Sequence, residues 1–276
     1  SEASDVYKGQ IDIKKEPLKV NSPEHKAPIR DKTLRKGLKI LEILTLKGAM
    51  HLRDVASAGN LTRGNAHHIL QSLIEEGFVE QEEQTARYRI TLKLWEISTK
   101  QLEQHGIVDA CKPLMRQLCD QTRESINLAI LDENEVLYLH KENSGEGISS
   151  FTQIGGRAPA HCVATGKAML AFDPREEVAW RRLNFTRFNH TTITDFDTFA
   201  LEMKATRERG YSISFGEWRG DVHACASPIL GWAGRVRAAI GISGPSSRMT
   251  PERMAEFGVL LCEVTESISE ASEKII

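Results

Sequence analysis

The sequence lacks the features that would direct it to a membrane, to export or to a structural metal site. No apolar run approaches the roughly 20 residues that a membrane span needs, and the N-terminus has no apolar signal core. Five cysteines, an odd number without a CxxC pair, argue against a disulfide framework and a zinc site. These absences predict a soluble, cytoplasmic chain with reduced thiols and without a membrane, metal or other cofactor.

A strong excess of one charge is also lacking, since the formal net charge of the 276 residues is −2. The distribution is uneven, however, because residues 30–72 hold eight lysines and arginines against three acids. A basic segment within a nearly neutral chain favours a local nucleic-acid contact rather than a wholly basic binder. Residues 1–30 mix Lys, Glu, Pro and Ser without a sustained period, so they are interpreted as a flexible arm, most simply an inert tail.

Residues 31–91 show the element order of a winged helix-turn-helix domain. Two helices, a turn, a third helix and a hairpin follow one another, with apolar residues at helical spacing and then in alternation. This order is that of a DNA-binding fold whose third helix enters the major groove. The predicted helix caps and stops are Thr33, Gly48, Gly59, Thr62 and Gly77.

The third helix, within LTRGNAHHILQSLIEEGFVEQ, is amphipathic. Its apolar face comprises Ala66, Ile69, Leu70, Leu73 and Ile74. Its outward side carries hydrogen-bonding groups suited to base edges, namely Arg63, Asn65, His68 and Gln71. His67 is expected to be half-buried and to position the helix, while Arg87 and Arg89 are expected to meet phosphates from the second hairpin strand. An ordinary surface helix and two solvated arginines are the alternatives.

A long helical stretch begins near residue 92 and has breaks near Gly106 and Pro113, and its first part, residues 92–108, is predicted to be a helical linker. Its apolar side chains suit a dimer interface: Leu92, Leu94, Trp95, Ile97 and Leu102. Residues 109–276 then alternate strands and helices, which predicts an antiparallel sheet with helices at its faces and an α+β class. The predicted strands are SINLAIL, EVLYLHK, YSISFGEW, HACASPIL and RVRAAIGISG, and the predicted helices lie near 164–172, 175–182, 197–210 and 251–272.

Patterns that would indicate an enzyme are weak. Cys162 follows His161, and Cys225 lies near His223, but neighbouring side chains point apart, and no GxSxG, Walker A or HExxH pattern accompanies them. The TGK at 165–167 lacks a preceding glycine loop, and the aspartates 195, 197 and 221 are too separated for a metal loop. The chain is predicted not to be an enzyme; a winged helix used for protein contacts is the other alternative.

Five blocks, in order, resemble those of the IclR-type bacterial transcriptional regulators: LRKGLKILEIL, LTRGNAHHILQSLIEEGFVEQ, HCVATGKAMLAF, ATRERGYSIS and GISGPSSRMTPERMAEF. The resemblance runs from about Thr33 to Ser269. It implies an N-terminal winged helix-turn-helix, a helical linker and a C-terminal GAF-like α/β domain that binds a small organic acid. It also implies a homodimer or dimer of dimers acting on double-stranded operator DNA.

The resemblance places the recognition residues of the family on this chain. They fall on Arg63, Gly64, Asn65, His67 and His68, with Arg35 matching a basic residue of the first helix. The usual Lys-Ser-Thr triplet of the family is Arg63, Gly64 and Asn65 here, so the operator sequence is not predicted.

The resemblance also places an effector cavity between the sheet and a helix N-terminus, at Ala164, Thr165, Ser214, Phe215, Ala224, Gly241 and Ser243. Polar groups of small-acid members are lost at Ala224 and Gly241, so a larger, less polar cavity is expected. With Phe215 and Trp218 nearby and His223 as a donor, the expected effector is an aromatic or bulky carboxylate. The expected function is a repressor of a catabolic operon for aromatic compounds; a sensor of a 2-oxo acid such as glyoxylate or pyruvate is the alternative.

Overall fold

The computed structural model of the chain describes residues 31–145, 152–175 and 177–273, apart from the side chains of 102–105 and 271–273. The predicted arm, residues 1–30, and the Leu102 side chain therefore lie outside the described residues. The chain divides into two compact units, up to Glu96 and from Ile97 onward. None of the described helices is long and apolar enough to cross a membrane.

The first unit has the predicted order of three helices and a hairpin. The helices are α1 (Lys32–Lys47), α2 (Leu52–Ala58) and α3 (Arg63–Glu75), and the hairpin strands are β1 (Val79–Gln81) and β2 (Tyr88–Ile90). Its core is formed by apolar side chains from every element: Ile40, Leu44, Val55, Ile69, Leu70, Val79 and Tyr88. The helix-turn-helix prediction is confirmed.

Two helix ends of this unit show how local chemistry sets the boundaries. Thr33 is not the cap of α1, because the Asp31 carboxylate accepts hydrogen bonds from the backbone N–H groups of Thr33 and Leu34 at 2.7 and 3.1 Å. Thr33 already lies in the first turn. Thr62 does cap α3, since its Oγ1 accepts from the Asn65 N–H at 3.3 Å.

The second unit is built on one six-stranded antiparallel sheet. Its strands are β3 (Ser125–Asp132), β4 (Glu135–Glu142), β5 (Arg157–Pro159), β6 (Ser212–Phe215), β7 (Val222–Leu230) and β8 (Val236–Pro245), in the spatial order β5-β4-β3-β8-β7-β6. The five predicted strands are present. β5 was not predicted, because three residues ending in proline are too few to show an alternating pattern.

Helices cover both faces of this sheet. The helices after α4 (Lys93–His105) are α5 (Ile107–Thr122), α6 (Ala164–Phe172), α7 (Glu177–Trp180), α8 (Phe196–Arg209) and α9 (Pro251–Glu273). One face packs against α5 and α9 around Met115, Leu128 and Leu261, and the other packs against α6 and α8 around Met169 and Phe199. The sheet is therefore the middle of three layers.

Two helical predictions in this region need correction. Gly106 separates α4 from α5 in a left-handed conformation with φ 61°, as expected for a break. Pro113 does not break α5, because one missing N–H is outweighed by a buried face that includes Cys111, Met115 and Leu118. The helix predicted at 175–182 is a single turn, Glu177–Trp180.

Candidate functional site

The outward side of α3 is the candidate DNA interface of the first unit. Arg63, Gly64, Asn65 and His68 are exposed, and Gln71 is half-buried. At Gly64, a Cβ would meet no described atom within 4 Å, so the first turn of α3 stands open. Hydrogen-bonding side chains on the first two turns of an open helix suit direct contact with base edges.

His67 differs from its expected placement. The buried stripe of α3 consists of Ala66, Ile69 and Leu70, and His67 is exposed rather than half-buried. Successive residues of a helix are rotated by 100°, so His67, which follows Ala66, points beyond the edge of this narrow buried stripe. Its ring lies 6.2 Å from that of His68, so two adjacent imidazoles face solvent.

The hairpin arginines and Arg35 surround the same unit with exposed positive charge. Arg87 lies just before β2, where its Nε is 3.5 Å from His51 Nε2. Arg89 lies within β2, with its Nε 2.6 Å from Glu80 Oε1. An exposed ion pair of this kind is worth about 0–1 kcal/mol, so a DNA phosphate competes with Glu80 at little cost. Arg35 is exposed on α1.

A cavity in the second unit lies between the sheet and the N-terminus of α6. Its lining residues are Asn127, Tyr138, Thr152, Cys162, Val163, Ala164, Thr165, Ser214, Trp218, Arg219, Val222, Ala224, Gly241, Ile242 and Ser243. Seven predicted residues are therefore brought together: Ala164, Thr165, Ser214, Trp218, Ala224, Gly241 and Ser243. Four polar residues that also line the cavity were not predicted from the sequence: Asn127, Tyr138, Thr152 and Arg219.

Phe215 and His223 do not line this cavity, which corrects their expected place in it. Successive side chains of a strand point to opposite faces, so these two residues oppose Ser214 and Ala224, their cavity-lining neighbours. Their rings pack edge-on at 5.3 Å, and His223 Nδ1 lies 3.0 Å from the Met249 carbonyl oxygen. Because side chains alternate between the two faces along each strand, Phe215 and His223 could not line the same cavity as Ser214 and Ala224.

The cavity is small. Its free volume is about 60 Å³, room for roughly four to six water-sized groups, since one water needs on the order of 10–15 Å³. The expected enlargement at Gly241 is absent because α6 packs directly over it: a Cβ there would lie 2.9 Å from Thr165 Cγ2. The large side chains of Trp218 and Tyr138 also line the cavity.

The start of α6 supplies polar groups to the cavity. Its N-cap position is Val163, whose side chain has no hydrogen-bonding group, and no described side chain caps the helix. The Thr165 Oγ1 and Asn127 Oδ1 atoms are buried and have no hydrogen-bond partner among the described residues. Free N–H groups at a helix start favour an anion, and buried unpaired polar atoms are costly unless a bound molecule pairs with them.

Two other cavity groups are neutral at physiological pH. Burial raises the pKa of the Tyr138 phenol to about 12, although hydrogen-bonding interactions with the Thr165 and Thr152 side chains partly oppose the shift. Burial also raises the pKa of the Cys162 thiol to about 12. Tyr138 is therefore a hydrogen-bond donor, and Cys162 is not a thiolate nucleophile.

A buried ion pair anchors the loop that carries Trp218 and Arg219. Lys167, from α6, is 1% exposed, and its Nζ lies 2.5 Å from Glu217 Oε1. Burial raises the pKa of the Glu217 carboxyl, and the Lys167 ammonium opposes that shift. The Glu217 carbonyl oxygen accepts the Thr192 hydroxyl at 2.6 Å, so both ends of this residue are held. One wall of the cavity is thus tied to α6.

The remaining candidates for chemistry have structural roles. Asp195 caps α8 by accepting from the Thr198 N–H at 2.9 Å. His161 Nε2 lies 3.2 Å from the Thr186 carbonyl oxygen rather than beside the Cys162 thiol. In the described ranges, no group of three His, Cys, Asp or Glu residues is arranged to hold a metal.

Comparisons with known proteins match both units of the chain. The bacterial transcriptional regulator IclR C-terminal family matches residues 99–270, and the IclR helix-turn-helix domain matches residues 33–83. The HTH-type transcriptional regulator KdgR of Escherichia coli is 28% identical, over 90% of this chain and 95% of its own length. The HTH-type transcriptional repressor AllR of Klebsiella pneumoniae is 30% identical, over 86% of this chain and 89% of its own.

The fold matches a solved structure of the same group. The crystal structure of the Thermotoga maritima IclR superposes with a TM-score of 0.75 at 26% identity, covering 87% of this chain and 98% of that one. The family models cover both units, and the relatives are regulators of transcription rather than enzymes. The chain therefore belongs to the IclR family of bacterial transcriptional regulators, with a DNA-binding helix-turn-helix and an effector domain.

Proposed function

We propose that this chain is a repressor that binds operator DNA through α3 and releases it when a small carboxylate occupies the sheet cavity. The observation that carries the effector half is the meeting of the uncapped start of α6 with two buried, unpartnered polar atoms, on Asn127 and Thr165. The N–H groups and the positive dipole end of α6 suit a carboxylate. The name of AllR, a repressor, supports the direction of regulation.

The size of the cavity favours a small acid, such as glyoxylate or pyruvate, over an aromatic one. A free volume of about 60 Å³ is on the order of four to six water-sized groups, which is close to the size of a two- or three-carbon acid. An aromatic or bulky carboxylate, which was predicted from the sequence, is larger than this volume and needs a wall of the cavity to move outward. Arg219 is exposed and carries a positive charge at the cavity rim, where it complements either acid.

The DNA half of the proposal rests on the exposed start of α3. Arginine pairs with guanine and asparagine with adenine through two hydrogen bonds in the major groove. Arg63 and Asn65 lie in the first turn, where a recognition helix meets base edges, and His68 lies one turn on. Thr62 holds the start of the helix, while Arg35, Arg87 and Arg89 supply phosphate contacts.

The proposed regulator acts as a homodimer or dimer of dimers in the cytoplasm. Leu92 and Trp95 are 81% and 71% exposed, and the latter lies on α4. Two-fold symmetric half-sites raise operator affinity beyond what one winged helix provides. Light scattering at micromolar concentration should give at least twice the monomer mass; a monomer with intact operator binding would contradict this part.

The experiment that tests the whole proposal begins with genomic DNA recovered by the purified protein. A fragment recovered repeatedly is used in mobility shifts, while glyoxylate, pyruvate, benzoate and 4-hydroxybenzoate are titrated. We expect a small acid to raise the melting temperature and to release the fragment. Effects from the aromatic acids alone would support the wide-cavity prediction instead, and no effect from any acid would refute carboxylate sensing.

A further inference from the structure

Asn127 lines the cavity, and the oxygen of its amide has no hydrogen-bond partner among the described residues. The residue lies in β3 and is 3% exposed. Its Nδ2 donates to Ser243 Oγ at 2.8 Å, which leaves Oδ1 buried and without a partner among the described residues. An amide oxygen only accepts hydrogen bonds, so the group missing from this site is a donor.

A carboxylate does not supply that donor. At neutral pH its two oxygens are acceptors, and they are satisfied by the N–H groups at the start of α6. An oxo group beside the carboxylate is an acceptor as well, and it would face the Asn127 oxygen without a proton between them. A hydroxyl group, in contrast, donates to Asn127 and accepts from a second group.

The sheet register puts Asn127 within reach of a group attached near the carboxylate. Asn127 on β3 is the direct partner of Gly241 on β8, and Gly241 lies directly beneath the Thr165 side chain. Neighbouring strands are about 4.8 Å apart. A hydroxyl a few bonds from a carboxylate on α6 therefore reaches the Asn127 oxygen.

We propose that the effector is a hydroxylated carboxylic acid and that Asn127 is the residue that selects it over the corresponding acid without a hydroxyl donor. This inference rests on the proposed function, because it takes the carboxylate at α6 as given. The buried Thr165 hydroxyl, which makes no hydrogen bond of ordinary length to a described residue, is the second group that the effector hydroxyl or carboxylate pairs with.

The test compares acids in pairs that differ at the donor: lactate with pyruvate, glycolate with glyoxylate, and 4-hydroxybenzoate with benzoate. Calorimetric titration of the full-length protein measures each dissociation constant. An unpaired buried acceptor weakens binding by about tenfold to a hundredfold, so the hydroxy acid of the pair that binds should be tighter by about that factor.

Two variants connect this preference to Asn127. Asn127→Ala should weaken the hydroxy acid and bring the ratio within the pair close to one. Asn134→Ala is the matched control: Asn134 lies in the exposed turn after β3, where its Nδ2 donates to the Arg182 carbonyl oxygen, and the ratio should not change. A folded Asn127→Ala variant that keeps the wild-type ratio would overturn the assignment to Asn127. If this variant does not fold, a wild-type ratio close to one still overturns the inference.

Each outcome has a distinct meaning. If pyruvate, glyoxylate or benzoate binds as tightly as its hydroxylated partner, the inference is overturned while carboxylate sensing stands. Tighter binding of an oxo acid would mean that the amide presents Nδ2 to the cavity, which also overturns it. If none of the six acids binds, the proposed function fails together with the inference.

Discussion

Replacing Thr165 with valine should stabilise the ligand-free protein while impairing its response to acids. The Thr165 Oγ1 atom is buried and makes no hydrogen bond of ordinary length to a described residue, and its polar neighbour is the Tyr138 phenol. Burying an unsatisfied polar group costs about 1–3 kcal/mol. Valine has the same shape and a similar helix propensity, so Thr165→Val removes this cost without opening a cavity.

The expected shift in melting temperature depends on the size of the second unit, residues 97–276. A gain of about 1 kcal/mol in the free energy of unfolding raises the melting temperature of a unit of this size by roughly 2–4 °C. Calorimetry of the full-length protein measures this shift. The same variant should need more acid to release operator DNA, because the acid has lost a hydrogen-bond partner.

Thr265→Val is the matched control, because Thr265 is also a buried helical threonine but its hydroxyl is paired. Its Oγ1 lies 3.0 Å from the Leu261 carbonyl oxygen and 2.9 Å from Ser227 Oγ. Removing a paired hydroxyl costs about 1 kcal/mol, so this variant should melt at a lower temperature. If both variants lower the melting temperature equally, Thr165 is not an unsatisfied group held for an effector.

Three further predictions concern the recognition helix, a buried imidazole and a close backbone contact. Asn65→Ala combined with His68→Ala should lower operator discrimination by about 1–3 kcal/mol for each lost base contact. The control variant, Ser72→Ala, should retain the discrimination of the wild type. Unchanged discrimination of the double variant in mobility shifts would show that Asn65 and His68 do not contact bases. Burial lowers the pKa of His161 from 6.5, so near and below that pH the unfolded chain binds more protons than the folded chain, and stability should fall as pH drops through 6.5. His161→Gln should reduce the fall in melting temperature between pH 7 and 5. An equally steep fall in the variant would contradict this prediction. Gly166→Ala would place a Cβ onto the Ala160 carbonyl and should lower the free energy of unfolding by about 1–3 kcal/mol. Gly64→Ala has open space and introduces a better helix former, so it should raise the free energy of unfolding by up to about 1 kcal/mol. Equal melting temperatures of the two variants would refute the close contact at Gly166.

Features that depend on neighbours along the chain were predictable from the sequence. The amphipathic period of α3, its Thr62 cap and the Gly77 stop each act within one or two helical turns, and the structure has all three. The five longer strands were predictable because β-branched residues alternate over enough positions to show a period of two. β5, with three residues, offers no such pattern.

Features that depend on contacts distant in sequence were decided by the tertiary structure. Strand alternation by itself shows that Ser214 and Phe215 point apart, but only the packing of α6 on one face decides that Ser214 lines the cavity. The unmatched amide of Asn127 follows from its pairing with Ser243, a residue more than a hundred positions away. The cavity volume was decided in the same way, because Thr165 fills the space above Gly241 that the sequence left empty.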